Sequence, residues 1–397
     1  MGAGTKYTTA SFGSLIIEQP KSTTKVSEAT GFGNYPFFTS GEAVLQHLSP
    51  LTNGESIYMA TGGQANVKYF DGEAAYSTDT WVVKAKEPID SKLLYYHILS
   101  LLSKIDYQFF QGSGLKHLQK KDFKRHEITF PTDPKEQERI VVILSDIDKA
   151  IAETEALIAK YELVKKGLMH DLLTNGIDEN GNIRSPQTHV YKDSPLGPIP
   201  QEWTLIKLDN LITHIADCPH STPNYLDSGV LVARTSSIKN GEYLIAESSY
   251  VSEEEYQSRI ARLQPLPGDV IFTREAPIGE AFVIPEHMRI CLGQRVTVIR
   301  TKKDLLNPYF FVYCNYSSYM KSYYENIVGG TTVAHLNVKD IKKLSIKLPT
   351  IKEQNQIVGI MFGIDTYLFD LKSELNKLNS FKTGLLHDLL NHDKEQR

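Results

Sequence analysis

Apolar residues recur along two stretches of the chain at alternating spacings of four and three. The first stretch is free of proline from Lys135 to Leu173, with apolar positions at Ile140, Leu144, Ile147, Ile151, Ile158, Tyr161, Leu168 and Leu172. The second places Ile357, Met361, Ile364, Leu368, Leu371, Leu375, Leu378, Leu385 and Leu389 in the same rhythm. A sustained 4–3 alternation is the seam of a coiled coil. Each stretch therefore predicts a long helix, roughly 55–60 Å at about 1.5 Å per residue. Thr154 and Lys165 interrupt the first seam; Lys382, the counterpart of Lys165, interrupts the second. Pro134 suits the first turn of the first helix, and Asn175-Gly176 suits its end.

The two stretches are copies. Gly167-Leu168-Met169-His170-Asp171-Leu172-Leu173 returns 217 residues later as Gly384-Leu385-Leu386-His387-Asp388-Leu389-Leu390. Lys135-Glu136-Gln137 returns as Lys352-Glu353-Gln354 at the same offset. Just before them the offset is 218, where His117-Leu118 returns as His335-Leu336 and Phe130-Pro131-Thr132 as Leu348-Pro349-Thr350. One near-constant offset over so long a stretch marks an internal repeat, in which each half is a variable region followed by a shared helical tail. Two helices of matched length and pattern can pair with each other. The expectation is an intramolecular, antiparallel coiled coil through Leu144, Ile147, Ile151 and Ile158 of the first helix and Met361, Leu368, Leu371 and Leu375 of the second. The alternative is that each helix only covers its own domain.

The variable regions lack the heptad rhythm. Short β-rich runs, among them Thr80-Trp81-Val82-Val83, Asp269-Val270-Ile271-Phe272-Thr273 and Val296-Thr297-Val298-Ile299, are separated by Gly, Asn and Pro. Each region also predicts one helix, from Ser91 to about residue 103 behind the N-cap Asp90, and from Asn307-Pro308 to about residue 326. The fold class is α+β: two tandem domains of mixed α/β structure joined by two long helices with pseudo-two-fold symmetry. The expected boundaries are 1–131 for the first domain, 132–175 for the first helix, 176–201 for a polar, Pro- and Gly-rich linker, 202–349 for the second domain and 350–392 for the second helix.

Composition narrows the function. The 397 residues carry a net charge of −4, so nucleic-acid binding has to be argued from local features. Three scattered cysteines exclude a disulfide framework and suit a reducing cytoplasm. There is no signal-peptide pattern and no run of 18 apolar residues. No phosphate loop of the form Gly-x-x-x-x-Gly-Lys-Ser/Thr occurs, and no dinucleotide fingerprint. Asn307-Pro308-Tyr309-Phe310 lacks the second proline of an adenine methyltransferase motif and reads as a helix start. The paired histidines, His117 with His335 and His170 with His387, have no second ligand at metal-binding spacing. No catalytic, cofactor-binding or metal site is expected.

Several loops do offer groups suited to phosphates and base edges. In the first region these supply Gly62, Gly63, Gln64 and Asn66, with Ser113 and Lys116. In the second they supply Arg234, Ser236, Ser237 and Lys239, then Arg274, then Thr331 and Thr332. The segment Lys116 to Arg125 is locally basic. Such loops can equally be plain turns and solvated faces.

Two variable regions, each followed by a Glu-Gln-x-x-Ile start and a long helix ending Gly-Leu-x-His-Asp-Leu-Leu, resemble the specificity (S) subunit of Type I restriction–modification enzymes. The Thr174-Asn175-Gly176-Ile177-Asp178 and Pro198-Ile199-Pro200-Gln201-Glu202-Trp203 segments, and Gly330-Thr331-Thr332-Val333-Ala334-His335-Leu336, resemble that family too. The resemblance covers essentially the whole chain. It implies two target-recognition domains, each reading half of a bipartite site in double-stranded DNA, and a coiled coil that sets the spacer between the halves. It also implies two modification (M) subunits that bind S-adenosylmethionine, and two restriction (R) subunits that use ATP and Mg, together serving host defence. The chain itself would be non-catalytic and hold none of these cofactors. In the first region Gly112-Ser113-Gly114-Leu115-Lys116 replaces the family's Gly-Thr/Ser-Thr loop, so the two domains are expected to read different half-sites. A coiled-coil scaffold without DNA readout would share the helices but would not need these polar loops; a fused enzyme would need a cofactor signature that is missing.

Overall fold

The computed structural model describes residues 6–328 and 335–390. Both long helices form, over Pro134–Thr174 and Ile351–Leu390. The chain divides into two compact units. One holds the described residues up to Leu157 together with those from Leu371 onward, and the other is Ile158–Asp370. Each unit thus contains one globular domain and a segment of both long helices.

The two units repeat one plan. In the first, a four-stranded sheet places Ile16–Glu18, Thr80–Ala85, Ser56–Ala60 and Val67–Phe70 side by side, all antiparallel. A three-stranded sheet centres on Tyr35–Phe38, which pairs antiparallel with Leu45–His47 and parallel with Ala75–Tyr76. In the second unit the same roles fall to Ile212–Asp217, Val296–Thr301, Val270–Arg274 and Ile278–Val283, and to a sheet centred on Val230–Ala233 with Ser249–Val251 and a parallel Ile290–Leu292. The central strands Ser56–Ala60 and Val270–Arg274 are buried throughout, polar Ser56, Thr273 and Arg274 included.

The expected domain helices start where the caps place them. Asp90 accepts from the backbone N–H of Lys92 and Leu93, and Asn307 from that of Tyr309 and Phe310. Each is broken where a single helix is predicted. The first becomes Ser91–Ser100 and Leu102–Phe109, the second Pro308–Asn315 and Ser318–Val328.

One side chain fastens each domain to the helix that follows it. Gln137 is almost wholly buried; its Oε1 accepts from the Asp90 N–H (2.7 Å) and its Nε2 donates to the carbonyls of Pro88 (2.9 Å) and Pro131 (2.8 Å). Gln354 makes the same three bonds, to the Asn307 N–H (2.9 Å) and the carbonyls of Leu305 (2.9 Å) and Pro349 (3.0 Å). The adjoining glutamates differ. Glu136 lies at the surface near Arg139, whereas Glu353 is buried, binds Arg184 through both oxygens and accepts from Ile177 N–H and Trp203 Nε1. The stretch 176–201 is thereby held in the second unit, with Ile177, Arg184 and Ile199 buried.

The long helices pack on each other in both units. In the first, Asp148 meets Lys382 at 2.6 Å; in the second, Lys165 meets Asp365 at 2.5 Å and the Tyr161 and Tyr367 rings touch edge-on. Numbering rises along one helix as it falls along the other, so the pair is antiparallel. The heptad positions divide their work. Leu144 and Met361 are fully buried in the cores of the globular domains, alongside Ile140 in one and Ile357 in the other. Ile147 and Leu368 are buried outside those cores, while Ile151, Ile158, Leu371 and Leu375 are half-buried. The far ends of the helices complete the domain cores: Leu385, Leu386, Leu389 and Leu390 in the first unit, Leu168, Met169, Leu172 and Leu173 in the second. Fully burying one such leucine stabilises by about 1.5–3 kcal/mol.

Replacing Gln354 with Glu keeps the shape but removes the donor to two buried carbonyls. Unfolding in urea should show a loss of about 1–3 kcal/mol, the usual cost of orphaning such groups; an unchanged midpoint would refute the role given to Gln354. A second expectation concerns acid. His97 is buried, with Nε2 unpaired, and burial lowers its pKa to about 4. The unfolded chain takes up this proton near its ordinary value of about 6.5. The neutral ring therefore contributes its full stability above that pH and loses it progressively as pH falls toward 4. His97→Leu should flatten the fall of melting temperature between pH 6.5 and 4; an identical slope would refute it.

Candidate nucleic-acid interface

At one edge of each domain the loops that follow the central strands are stitched together by main-chain hydrogen bonds. In the first domain Ser77 N–H donates to the Phe38 carbonyl, Thr61 N–H to that of Asp79, and Leu118 N–H to that of Thr61, each at 3.0 Å. In the second domain Gly293 N–H donates to Ala233 (2.9 Å), Arg274 N–H to Arg295 (2.9 Å) and Leu336 N–H to Arg274 (3.0 Å). The same three bonds tie the same four segments, so each domain carries an equivalent rim.

The first rim unites the two loops singled out from the sequence. Gly63 N–H donates to the Lys116 carbonyl (3.0 Å), and Gly62 bridges to His117. Gly112 has φ +149°, and a Cβ there would lie 2.6 Å from the Leu115 carbonyl oxygen, so the loop needs glycine at that position. Gln64, Ser113 and Lys116 are exposed, and Gly62, Gly63 and Asn66 half-buried. Gly62 to Asn66 line one side of an open cleft of about 410 Å³; Ser40, Gly41 and Glu42 line the other. The lining mixes glycine, alanine and serine with the larger polar side chains of Glu42, Gln64 and Asn66.

The basic run beyond Lys116 is partly committed. Lys124 pairs with Glu18, and both Lys120 and Lys124 lie over the Trp81 ring, at 5.0 and 5.7 Å. Burial lowers the Lys120 pKa. Lys116, Lys121 and Arg125 are exposed.

The second rim is richer in cations. The Arg234 guanidinium stacks 4.8 Å over the Tyr225 ring and donates to Ser249 Oγ (2.9 Å). Ser236 and Lys239 are exposed. Two of the sequence candidates are buried. Ser237 is fully buried; its hydroxyl accepts from the Arg234 N–H and donates to the Arg234 carbonyl, closing the turn. Arg274 is also buried, paired with Asp217 at 3.1 Å. Both therefore build the rim and present nothing at its surface. Thr331 and Thr332 lie outside the described residues.

The segments missed from the sequence are the ones that stitch each rim, Ser77 to Asp79 and Gly293 to Arg295. Arg295, at φ +66° and half-exposed, has its Nε 3.6 Å from Glu275 Oε2, and His335 Nδ1 lies 2.9 Å from Glu275 Oε1. Glu275 thus positions two nitrogen-bearing side chains at the rim. No motif marks Arg295; only its place beside Arg274 reveals it. Among the described residues no cluster of three or more His, Cys, Asp or Glu could hold a metal, and no helix is long and apolar enough to cross a membrane.

Comparison with known proteins agrees with this two-fold plan. The family model described as Type I restriction modification DNA specificity domain matches residues 12–163 and 200–379. The MjaVIII specificity subunit of Methanocaldococcus jannaschii is 24% identical over 373 residues, covering 90% of this chain and 85% of its own. The EcoDI specificity subunit of Escherichia coli is 21% identical over 384 residues, covering 90% and 81%. The crystal structure of a Type I restriction–modification S subunit from M. genitalium superposes with a TM-score of 0.67 at 17% identity, over 98% of this chain and 97% of that one.

The structural role of Arg274 is testable. Asp217→Asn would strand its buried guanidinium and should destabilise the protein by about 3–5 kcal/mol, as broken buried ion pairs do. Thermal melting of the variant checks this; a wild-type melting temperature would refute the structural role given to the pair.

Proposed function

The chain belongs to the Type I restriction–modification DNA specificity family, and on that premise we propose that its two rims read the two halves of a bipartite site in double-stranded DNA. The observation that carries this reading is the pair of equivalent rims with different side chains: the scaffold repeats and the reading surface does not. The first rim offers neutral amide and hydroxyl groups, Gln64, Asn66 and Ser113, with Lys116 beside them. The second offers Arg234, Ser236, Lys239 and Arg295. Amides pair well with adenine edges and guanidinium with guanine, so the half-sites differ. The net charge of −4 fits a subunit that does not hold the duplex alone.

In this reading the chain is non-catalytic and has no cofactor of its own. It works in the cytoplasm with two M subunits, which bind S-adenosylmethionine and methylate adenine, and two R subunits, which use ATP and Mg. The antiparallel helices serve as the ruler between the half-sites.

Co-expression with the M subunit encoded beside it, followed by genome-wide mapping of N6-methyladenine, tests the reading. A bipartite motif methylated only when this chain is present is expected. Arg295→Ala should relax one half of that motif by about 1–3 kcal/mol of discrimination and leave the other intact. A stable complex with M that methylates no motif would leave the chain a scaffold.

A further inference from the structure

Lys165 and Lys382 break an apolar seam at equivalent places, and nothing in DNA reading calls for them. Each ammonium crosses to a carboxylate on the opposite helix, Lys165 to Asp365 and Lys382 to Asp148. Each carboxylate is held at its second oxygen by a tyrosine hydroxyl from the globular domain. Tyr313 donates to Asp365 Oδ2 at 2.7 Å, and Tyr96 to Asp148 Oδ2 at 2.9 Å. Both tyrosines are buried. In each unit, then, one aspartate joins three parts: its own helix, the opposite helix and the recognition domain.

Ion pairs whose members keep a fifth to a third of their surface in water add little net stability. Their effect lies in what they forbid. Sliding the second helix by one heptad in one direction sets Lys165 against Val358, Asp365 against Ile158, Lys382 against Val141 and Asp148 against Leu375, so every charge faces an apolar side chain. Sliding it the other way sets Lys165 against Lys372 and both aspartates against leucines, Leu172 and Leu389, with only Lys382 compensated, by Glu155. The apolar 4–3 pattern alone tolerates either slide, because a heptad shift keeps apolar facing apolar. The charges do not.

We propose that Lys165–Asp365–Tyr313 and Lys382–Asp148–Tyr96 form a register lock that selects a single axial alignment of the two helices and pins each recognition domain to it. These six are positioning residues. They set the alignment from which the spacing of the two half-sites follows, and that consequence, unlike the register itself, rests on the function proposed above.

The register is read without DNA. In the full chain, Tyr161→Cys with Tyr367→Cys reports the observed alignment, whose rings lie 4.6 Å apart. Tyr161→Cys with Ile360→Cys, and with Glu374→Cys, report alignments one heptad away. Disulfides mapped by mass spectrometry should form only in the first pair in the parent chain, and also in a shifted pair once Lys165→Met and Lys382→Met are added. Lys165→Arg with Lys382→Arg should restore the single alignment. Cross-linking confined to the first pair in the Met variant would overturn the lock. Should circular dichroism show that variant unfolded, Asp148→Asn with Asp365→Asn is read the same way against the same two outcomes. Methylation mapping of the Met variant with M then reads the consequence. A second motif should appear with its spacer changed by about three base pairs, from about 10 Å of shift at about 3.4 Å per base pair. An unchanged single spacer from a chain that cross-links in two alignments would overturn the link from register to spacing. A parent chain that directs no bipartite methylation would overturn the proposed function, while the register measured by cross-linking would stand.

Discussion

A helix that emerges from a globular domain must have its first turn held, or its direction is lost within a few residues. Here a single buried carboxamide does this in each half. Gln137 and Gln354 each accept from the N-cap residue of a domain helix and donate to two carbonyls, one in the loop before that helix and one at the end of the last strand. Only an amide offers an acceptor and two donors on one planar group. Everything further along the long helices, including which face meets the domain and which meets the other helix, depends on that fixed start. The second half adds Glu353, whose bidentate bond to Arg184 and contact with Trp203 bring the preceding polar stretch into the same anchor.

The helices were the most legible part of the chain because their burial is periodic. The 4–3 rhythm, the repeated Glu-Gln start and the constant offset pointed to two matched helices; the domain between them and the family resemblance pointed to an antiparallel pair, and the structure contains it. The rhythm could not separate seam from core. Leu144 and Leu368 look alike in sequence, yet the first lies in a globular core and the second is buried outside it. A leucine is buried for the same reason in either place, so periodicity reports burial and not its partner. The domain helices show a similar limit. Asp90 and Asn307 announced where they begin, but the interruptions at residues 101 and 316–317 have no proline or glycine to signal them.

The candidate interface was legible in part. Loops rich in Gly, Gln, Ser and Arg were found because such residues serve turns and hydrogen bonding alike, and two of them, around Gln64 and Lys116, lie side by side in the first domain. The same residue types also serve beneath the surface. Ser237 and Arg274 have the right chemistry, but one closes a turn and the other answers Asp217 beneath the surface. The stitching segments, Ser77 to Asp79 and Gly293 to Arg295, were invisible because their contribution is made by backbone. Main-chain donors and acceptors are the same at every residue, so no composition betrays them.

That backbone origin has an evolutionary consequence. A rim whose shape depended on particular side chains could not change its surface without risking collapse. One held by three N–H to C=O bonds keeps its shape while the outward residues vary. The two halves of this chain illustrate the outcome: after the same framing bonds the chain continues as Thr39-Ser40-Gly41 in one copy and as Arg234-Thr235-Ser236 in the other. Duplication supplied two frames, and each was then free to diverge in the side chains that it presents.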